Sequence, residues 1–546
     1  MSISYQGPVV LVIADGIGLS DNQAGNAVSL AYDKTITSLI QDYKSLRLRA
    51  AGIKVGLPVD DTGNSEIGHS ILGAGQIIKQ GANLVDEMME SGKVFESQTW
   101  KDAVANVKKH SGKAMHFIGI LSDGGVHSNI NHLLKMLTRA KEDGVKKARI
   151  HVLLDGHDVP ATSALVYVQQ LEDLLRELNT GGVDYKIASG GGRMKITADK
   201  YGADWNMVAE GWKTHVLGEA RGFGTAVEAI ETARWDTPGI VDAFLPPFVI
   251  TENEKPVGTI EDGDTVIYFD FKANRAIEFV KAMEEESFDK FDRVRVPKVY
   301  FAGLMNYAPM EGLPKNYLVI PPEVSGTLTE YLSKENIKQY SVAETVGYRY
   351  LTYCFNGGRD GAISSKTEEY KEVKSFDSPY GDRPWMKSAE VADEAVAKIK
   401  AGKDKFIKVD LPNADVVGFT GELQHTVMAV EAVDVAIQRI LDAVDAAGGV
   451  VVVTSSHGKA EETYELDDMG QMILKGGRPV AKRGRNANPV PFVIYDNTEN
   501  KMKYELKISG DFGLANVAAT IADLLGKTKP EVWEESLIRV KEEAEY

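Results

Sequence analysis

A single cysteine, Cys354, stands among 546 residues. No intrachain disulfide is possible, and one thiol suits a reducing compartment. No apolar run approaches the roughly 20 residues that cross a bilayer. The chain opens directly into a strand-like segment, with no basic region followed by a signal-peptide core. These absences point to a cytoplasmic protein. Positive charge is also short: 62 Lys and Arg against 79 Asp and Glu leave a formal net charge of -17. That excludes a general binder of nucleic acid or of an anionic membrane. It leaves room for a small anionic substrate held by local basic residues. Internal repeats and low-complexity tracts are missing. Hydrophobic residues at 43% and charged residues at 26% are those of an ordinary soluble protein, long enough for two or more domains with a sizeable core.

Short apolar runs that end in polar, glycine-containing loops are plentiful. Val9–Ala14 leads to Asp15-Gly16, His116–Leu121 to Ser122–Ser128, and Ile150–Leu154 to Asp155-Gly156-His157-Asp158. Tyr185–Ala188 leads to Ser189–Arg193, Thr265–Phe269 to Asp270–Arg275, Phe406–Leu411 to Pro412–Asp415, and Val450–Val453 to Thr454–Gly458. Continuous apolar runs are how strands buried on both faces of a parallel sheet look. Helical patterns lie between them, as at Ser163–Leu178. A long apolar stripe from about Gly421 (Val427, Val430, Val433, Ile437, Ile440, Leu441, Val444) is stopped by Gly448-Gly449. This βαβ rhythm predicts an α/β fold whose ligands gather at the carboxyl ends of the strands. Gly and Pro at Gly303, Pro309, Gly312, Pro314, Pro321 and Pro322 break the rhythm and mark a linker.

Gly63-Asn64-Ser65-Glu66-Ile67-Gly68-His69-Ser70 is a candidate nucleophile loop. A serine between small polar residues at a loop-to-helix junction can project its hydroxyl into a cleft, with backbone N–H groups facing an anion. Alone, such a serine is usually a turn or cap residue. The accompanying motifs change that reading. Asp15-Gly16, Gly63–His69, Leu121–Ser128, Asp155–Asp158, Ala188–Arg193, Phe271–Arg275, Ala343-Glu344-Thr345, Asn413–Gly421, Thr454–Glu461 and Pro489-Val490-Pro491 follow in one order along nearly the whole chain. In this the chain resembles the cofactor-independent (2,3-bisphosphoglycerate-independent) phosphoglycerate mutases of the alkaline-phosphatase superfamily. Ala188–Met194 is similar to their plant- and trypanosomatid-type branch.

The resemblance implies a discontinuous phosphatase-like domain, 1–82 with 318–546, and an inserted transferase domain, 85–305. Linkers fall near 79–84 and 305–322. A cleft between domains that move relative to each other would admit substrate. It implies two divalent ions, usually manganese, and a serine that takes a phosphoryl group from one glycerate hydroxyl and returns it to the neighbouring one. Ser65 matches that serine. Asp15, Ser65, Asp415 and His457 match metal ligands. His127, His157, Asp158, Arg193, Lys200, Lys272 and Arg275 fall at substrate-binding positions. The expected partner is a small phosphorylated carboxylic acid, with no nucleic acid and no membrane, and the chain is expected to be a monomer acting in glycolysis and gluconeogenesis.

The chain also departs from that pattern. Phe419 and, within a residue or two, Arg485 stand where one ion takes histidines, and Ser456 replaces a carboxylate at the other. His157, Lys272 and Lys200 stand at arginine positions, and Gly347 where a lysine meets the transferred group. His425, early in the long helix, reads as an ordinary helix-face histidine. These changes predict fewer than two tightly held ions. They set an alternative beside the mutase: a non-catalytic or repurposed phosphate- or phosphonate-handling homologue.

Overall fold

The structure is a computed structural model describing residues 3–59, 61–196, 204–308, 311–320, 324–467, 469–482 and 484–541, with backbone only at 273–275. Lys200 and the Arg275 side chain lie outside the described residues. The chain divides into two compact units, Met1–Gln80 with Pro322–Tyr546, and Gly81–Pro321.

In the first unit, seven strands among the described residues form one sheet. Their order is Glu368–Val373, Gln339–Glu344, Phe406–Asp410, Val9–Ile13, Val450–Thr454, Val490–Tyr495, Lys44–Leu48. The first five run parallel, and the last two pairings are antiparallel. Side chains alternate between the faces of a strand, and both faces here are covered. Val9, Leu11 and Ile13 join a core with Ile71, Leu72 and the helix Asn516–Leu524. Val10 and Val12 join another with Val430, Val433, Ile437, Ile440 and Val444 of the helix Leu423–Ala447. Burial on both faces explains the unbroken apolar run. Each such side chain contributes about 1.5–3 kcal/mol over exposure. The long helix starts two residues later than its stripe predicts. It ends where Gly448 turns left-handed at φ 67°.

The helix Ser65–Ala74 makes a close approach to the helical turn Tyr350–Cys354 and its cap Phe355. A Cβ on Gly73 would lie 1.9 Å from the Phe355 carbonyl oxygen. Gly73→Ala is therefore expected to destabilise the unit by about 2–3 kcal/mol, the cost of overpacking against backbone. The measurement is a fall in the urea midpoint with the slope unchanged.

In the second unit the strand order is Tyr300–Gly303, Thr265–Tyr268, Met115–Leu121, Lys147–Leu154, Asp184–Gly192, Phe248–Glu252, Arg221–Phe223, with Lys255–Pro256 pairing Phe248–Glu252. The first five run parallel. Met115, Phe117 and Leu121 face a core with the helices Gln98–Lys109, Ile130–Glu142 and Ala164–Leu178. Ile118 and Ile120 face another with Trp212 and Phe279. The α/β reading holds in both units.

Candidate functional site

Ser65 begins its helix. Asn64 caps it, its Oδ1 accepting the Ile67 N–H at 2.8 Å. The Ser65 hydroxyl therefore sits among first-turn N–H groups, the anion-favouring end of a helix. Ser65 is buried, and Gly68 lets the helix come close: a Cβ there would lie 2.5 Å from Ser456 Cβ.

Three adjacent parallel strands deliver the other groups. Ile13 pairs with Asp410 on one side and Thr454 on the other. Asp15, Asp410 with Asp415, and Ser456 with His457 consequently emerge together at one sheet edge. Gly16, at φ 84°, has no room for a side chain, because a Cβ would stand 2.3 Å from the Asp415 nitrogen. The Asp415 N–H reaches the Asp15 carbonyl at 3.0 Å.

One network runs through these residues. The Ser456 hydroxyl donates to Asp15 Oδ1 at 2.5 Å and lies 2.8 Å from His457 Nδ1. Its hydrogen is spent on Asp15, so His457 Nδ1–H donates to Ser456, and His457 Nε2 lies 2.8 Å from Asp415 Oδ1. Arg485 Nε–H meets that Nε2 at 2.6 Å, and Nε and Nη2 also donate to Asp415 Oδ1 and Oδ2 at 3.1 and 2.8 Å. The guanidinium lies 4.8 Å from the Phe419 ring centre. Ser65 Oγ donates to Asp415 Oδ2 at 3.4 Å. Burial would raise the Asp415 carboxyl, but His457 and Arg485 hold it well below the usual carboxylate range. Burial opposes the Arg485 charge, and Asp415 more than restores it. Beside them, burial lowers Lys459 to about 8, and its ammonium donates to the Lys482 carbonyl.

The ligand sets implied by resemblance do not fit here. At Asp415, a fixed guanidinium already satisfies both carboxylate oxygens and the His457 nitrogen, and Phe419 offers no donor atom. At Asp15, one oxygen is taken by Ser456, and both His457 nitrogens are engaged elsewhere. His425 stands apart, near Gly381.

A second knot adjoins the first. His69 Nδ1 is 2.8 Å from the Ser65 carbonyl. His69 also lies 3.8 Å from Asp15 Oδ2 and 3.7 Å from Asp410 Oδ1, all three side chains fully buried. Burial would lower the His69 pKa, but Asp15 and Asp410 outweigh it and raise it to about 9. Asp410 is pushed up to about 7 by burial and then by Asp15. Gly347 makes room for it: a Cβ there would lie 1.8 Å from Asp410 Oδ2. Gly347→Ala is expected to cost about 2–3 kcal/mol. In the double variant with Asp410→Ala, at least about 1 kcal/mol of coupling should reappear, because the clash is then gone. Urea unfolding of the four members of that cycle measures it.

In the second unit, Arg193 is fully buried and its Nη1 donates to Asp155 Oδ1 at 2.5 Å and Asp158 Oδ2 at 2.6 Å. Ser122 donates to Asp155 Oδ2, and the His157 and Asp158 N–H groups to Asp155 Oδ1. Burial would raise Asp155, but Ser122, the backbone donors and Arg193 lower it. His127 Nε2 is 3.9 Å from Asp158 Oδ2. Arg193 Nε and Nη2 are buried without a hydrogen-bond acceptor among the described residues. His157 is exposed, and half-buried Lys272 precedes the helix Ala273–Glu284.

The structure thus gathers Asp15, Ser65, Asp415 and His457 in one unit, and His127, Asp158 and Arg193 in the other. Sequence reasoning gave no site role to Asp410, Asp155 or Lys459, and read His69 only as part of the serine motif. The available signal for Asp410 was a carboxylate closing an apolar strand. For Asp155 it was a carboxylate directly after one.

Residues 85–309 match the family described as BPG-independent PGAM N-terminus (iPGM_N). A probable 2,3-bisphosphoglycerate-independent phosphoglycerate mutase of Leptospira interrogans is 43% identical over 97% of each chain. The 2,3-bisphosphoglycerate-independent phosphoglycerate mutase of Trypanosoma brucei brucei is 41% identical, again over 97% of each. The phosphoglycerate mutase of Leishmania mexicana, solved at low cobalt concentration, superposes with a TM-score of 0.66 at 39% identity, covering 99% of this chain and 100% of that one. With identity at this level along its whole length, the chain belongs to the 2,3-bisphosphoglycerate-independent phosphoglycerate mutase family.

Proposed function

We propose that the chain is an isomerase that interconverts 3- and 2-phosphoglycerate without 2,3-bisphosphoglycerate, as a cytoplasmic step of glycolysis and gluconeogenesis. The observation that carries this reading is Ser65: a buried hydroxyl at a helix N-terminus, beside a guanidinium, in a chain similar to named mutases along its whole length. Ser65 Oγ displaces a glycerate oxygen at phosphorus, its proton ending on the oxygen set free, and the phosphoserine so formed is displaced in turn by the neighbouring glycerate hydroxyl, whose proton ends on Ser65. Asp415 orients the hydroxyl rather than titrating, since its carboxyl stays ionised beside Arg485 and His457. Arg485 and the first-turn N–H groups offset the charge that spreads over the phosphoryl oxygens in transfer. In the other unit, Arg193 presents Nε and Nη2 to the substrate's carboxylate, with Asp155 and Asp158 fixing the fork. His127 and Asp158 carry protons to and from the glycerate hydroxyls. A bound divalent ion, manganese by analogy with the family, would supply further positive charge.

The paired Arg485, together with Phe419 and Gly347, supports a second reading in which the chain binds phosphate or phosphonate but transfers it slowly or not at all. Phosphorus NMR of the purified chain with 3-phosphoglycerate, with and without manganese, separates the two. Accumulation of 2-phosphoglycerate, with acid-stable phosphate on the Ser65 peptide, supports the mutase. Binding without interconversion supports the alternative.

A further inference from the structure

We propose that Asp15, His69 and Asp410 form a divalent-cation site, which shares only Asp15 with the ligand sets that resemblance implies. One ligand atom from each lies within 4.8 Å of the others, and all three residues are buried. The strands fix two of them: Ile13 and Asp410 are register partners, and Asp15 is two residues beyond Ile13. The helix that carries Ser65 fixes the third.

The atoms that face the site are unsatisfied. Asp15 Oδ2, His69 Nε2 and both Asp410 oxygens are buried with no hydrogen-bond partner among the described residues. Leaving one buried carboxylate uncompensated is costly, and here two share a space. The cations of this unit nearest in the network are committed, Arg485 to Asp415 and Lys459 to the Lys482 carbonyl.

The imidazole is presented as a ligand. Nδ1–H donates to the Ser65 carbonyl, which fixes the ring, and an entering cation that displaces the Nε2 proton would meet that nitrogen's lone pair on the side of Asp410. That is the outer-shell arrangement common to metal-binding histidines. The rival occupant is a proton on Nε2, bridging to Asp410. Such a charged hydrogen bond closes to about 2.7–2.9 Å, whereas the separation is 3.7 Å. Two ligands at roughly 2.0–2.2 Å from a shared ion, at near-tetrahedral angles, stand about 3.3–3.6 Å apart. Gly347 supports the assignment independently: any side chain there would overlap Asp410 Oδ2, so glycine is what admits the carboxylate. His69 is one helical turn from Ser65, and use of the ion in phosphoryl transfer rests on the mutase reading. Its binding does not.

The test is calorimetry of manganese(II) chloride titrated into the metal-stripped full chain, with no substrate present. About one equivalent is expected, weakened at least about tenfold by Asp410→Asn and by His69→Gln. Cobalt(II) should give visible absorption bands of a low-coordinate, nitrogen-ligated ion in the parent chain and lose them in His69→Gln. Urea unfolding identifies any variant that fails to fold, and the two variants cover each other. The proposal is overturned if manganese is not bound, or if binding survives both variants and is abolished by Asp415→Asn. Because no turnover is read, a failed mutase assay and a failed cation site are told apart.

Discussion

Ser65→Ala should lower phosphoglycerate interconversion by at least about 10⁴-fold while leaving the fold intact, as removal of a nucleophile does in enzymes that act through a covalent intermediate. The other serine hydroxyl of the described network, Ser456, has its hydrogen committed to Asp15 Oδ1. The variant should also fold normally. The Ser65 contact with Asp415 is long, at 3.4 Å, and Asp415 Oδ2 keeps the Arg485 Nη2–H at 2.8 Å. No buried carboxylate is therefore orphaned, and the stability change should stay within about 1 kcal/mol. A coupled assay and a urea curve on the same preparation make the comparison. Residual turnover within tenfold of the parent would remove Ser65 from the chemistry.

Much of this site was legible because its residues sit where periodicity ends. Val9–Ala14, Phe406–Leu411 and Val450–Val453 are apolar runs, so the polar residues after them fall at strand ends, and parallel pairing brings those ends together. Phe419, Ser456 and Arg485 could be recognised as unable to hold the implied ions from side-chain chemistry alone. What the substitutions build instead could not be read there. That Arg485 clasps both Asp415 oxygens depends on a loop whose path has no periodic pattern. The pairing of Gly347 with Asp410 is a steric fact between segments far apart in the chain, and Asp410 reads locally as the last residue of a strand. His69 sits inside the serine motif, and only the fold sets its ring between two carboxylates. The same limit explains the second unit: Asp155 follows a strand like many turn aspartates, and its grip on Arg193 appears only in three dimensions.

The second large effect concerns acid, and it arises from three buried histidines, two of which, His116 and His151, the sequence presents as strand residues. His116, His151, Ser189 and His215 form a buried chain in the second unit. Asp264 Oδ2 is 3.1 Å from His116 Nε2, His116 Nδ1 is 2.9 Å from His151 Nε2, His151 Nδ1 is 2.6 Å from Ser189 Oγ, and Ser189 Oγ is 2.7 Å from His215 Nδ1. One proton per ring satisfies every link. His116 donates to Asp264, His151 to His116, Ser189 to His151, and His215 to Ser189. A further proton on His116 or His151 would set donor against donor. Burial lowers all three: His116 despite Asp264, His151 further through His215 and His116, and His215 to about 3. The unfolded chain takes up these protons near pH 6.5, and the folded chain does so only at lower pH. Stability is therefore full above pH 6.5 and falls as pH drops below it, by up to about 1.4 kcal/mol per pH unit per histidine. Between pH 7 and 5 each ring held neutral in the folded chain should remove about 2 kcal/mol, a sizeable part of a domain's stability. Glu172 and Glu284, raised by burial, act in the opposite sense at lower pH. A variant comparison cancels them. His215→Gln should reduce the slope between pH 6.5 and 5 by up to about 1.4 kcal/mol per pH unit, since its suppressed protonation is gone. Urea unfolding at a series of pH values can be followed by tryptophan emission, because Trp100, Trp205, Trp212 and Trp235, four of the six tryptophans, lie in this unit. An unfolding free energy that stays level from pH 7 to 5, or the same slope in His215→Gln, would mean that these rings take up protons in the folded state and that the chain is not held neutral.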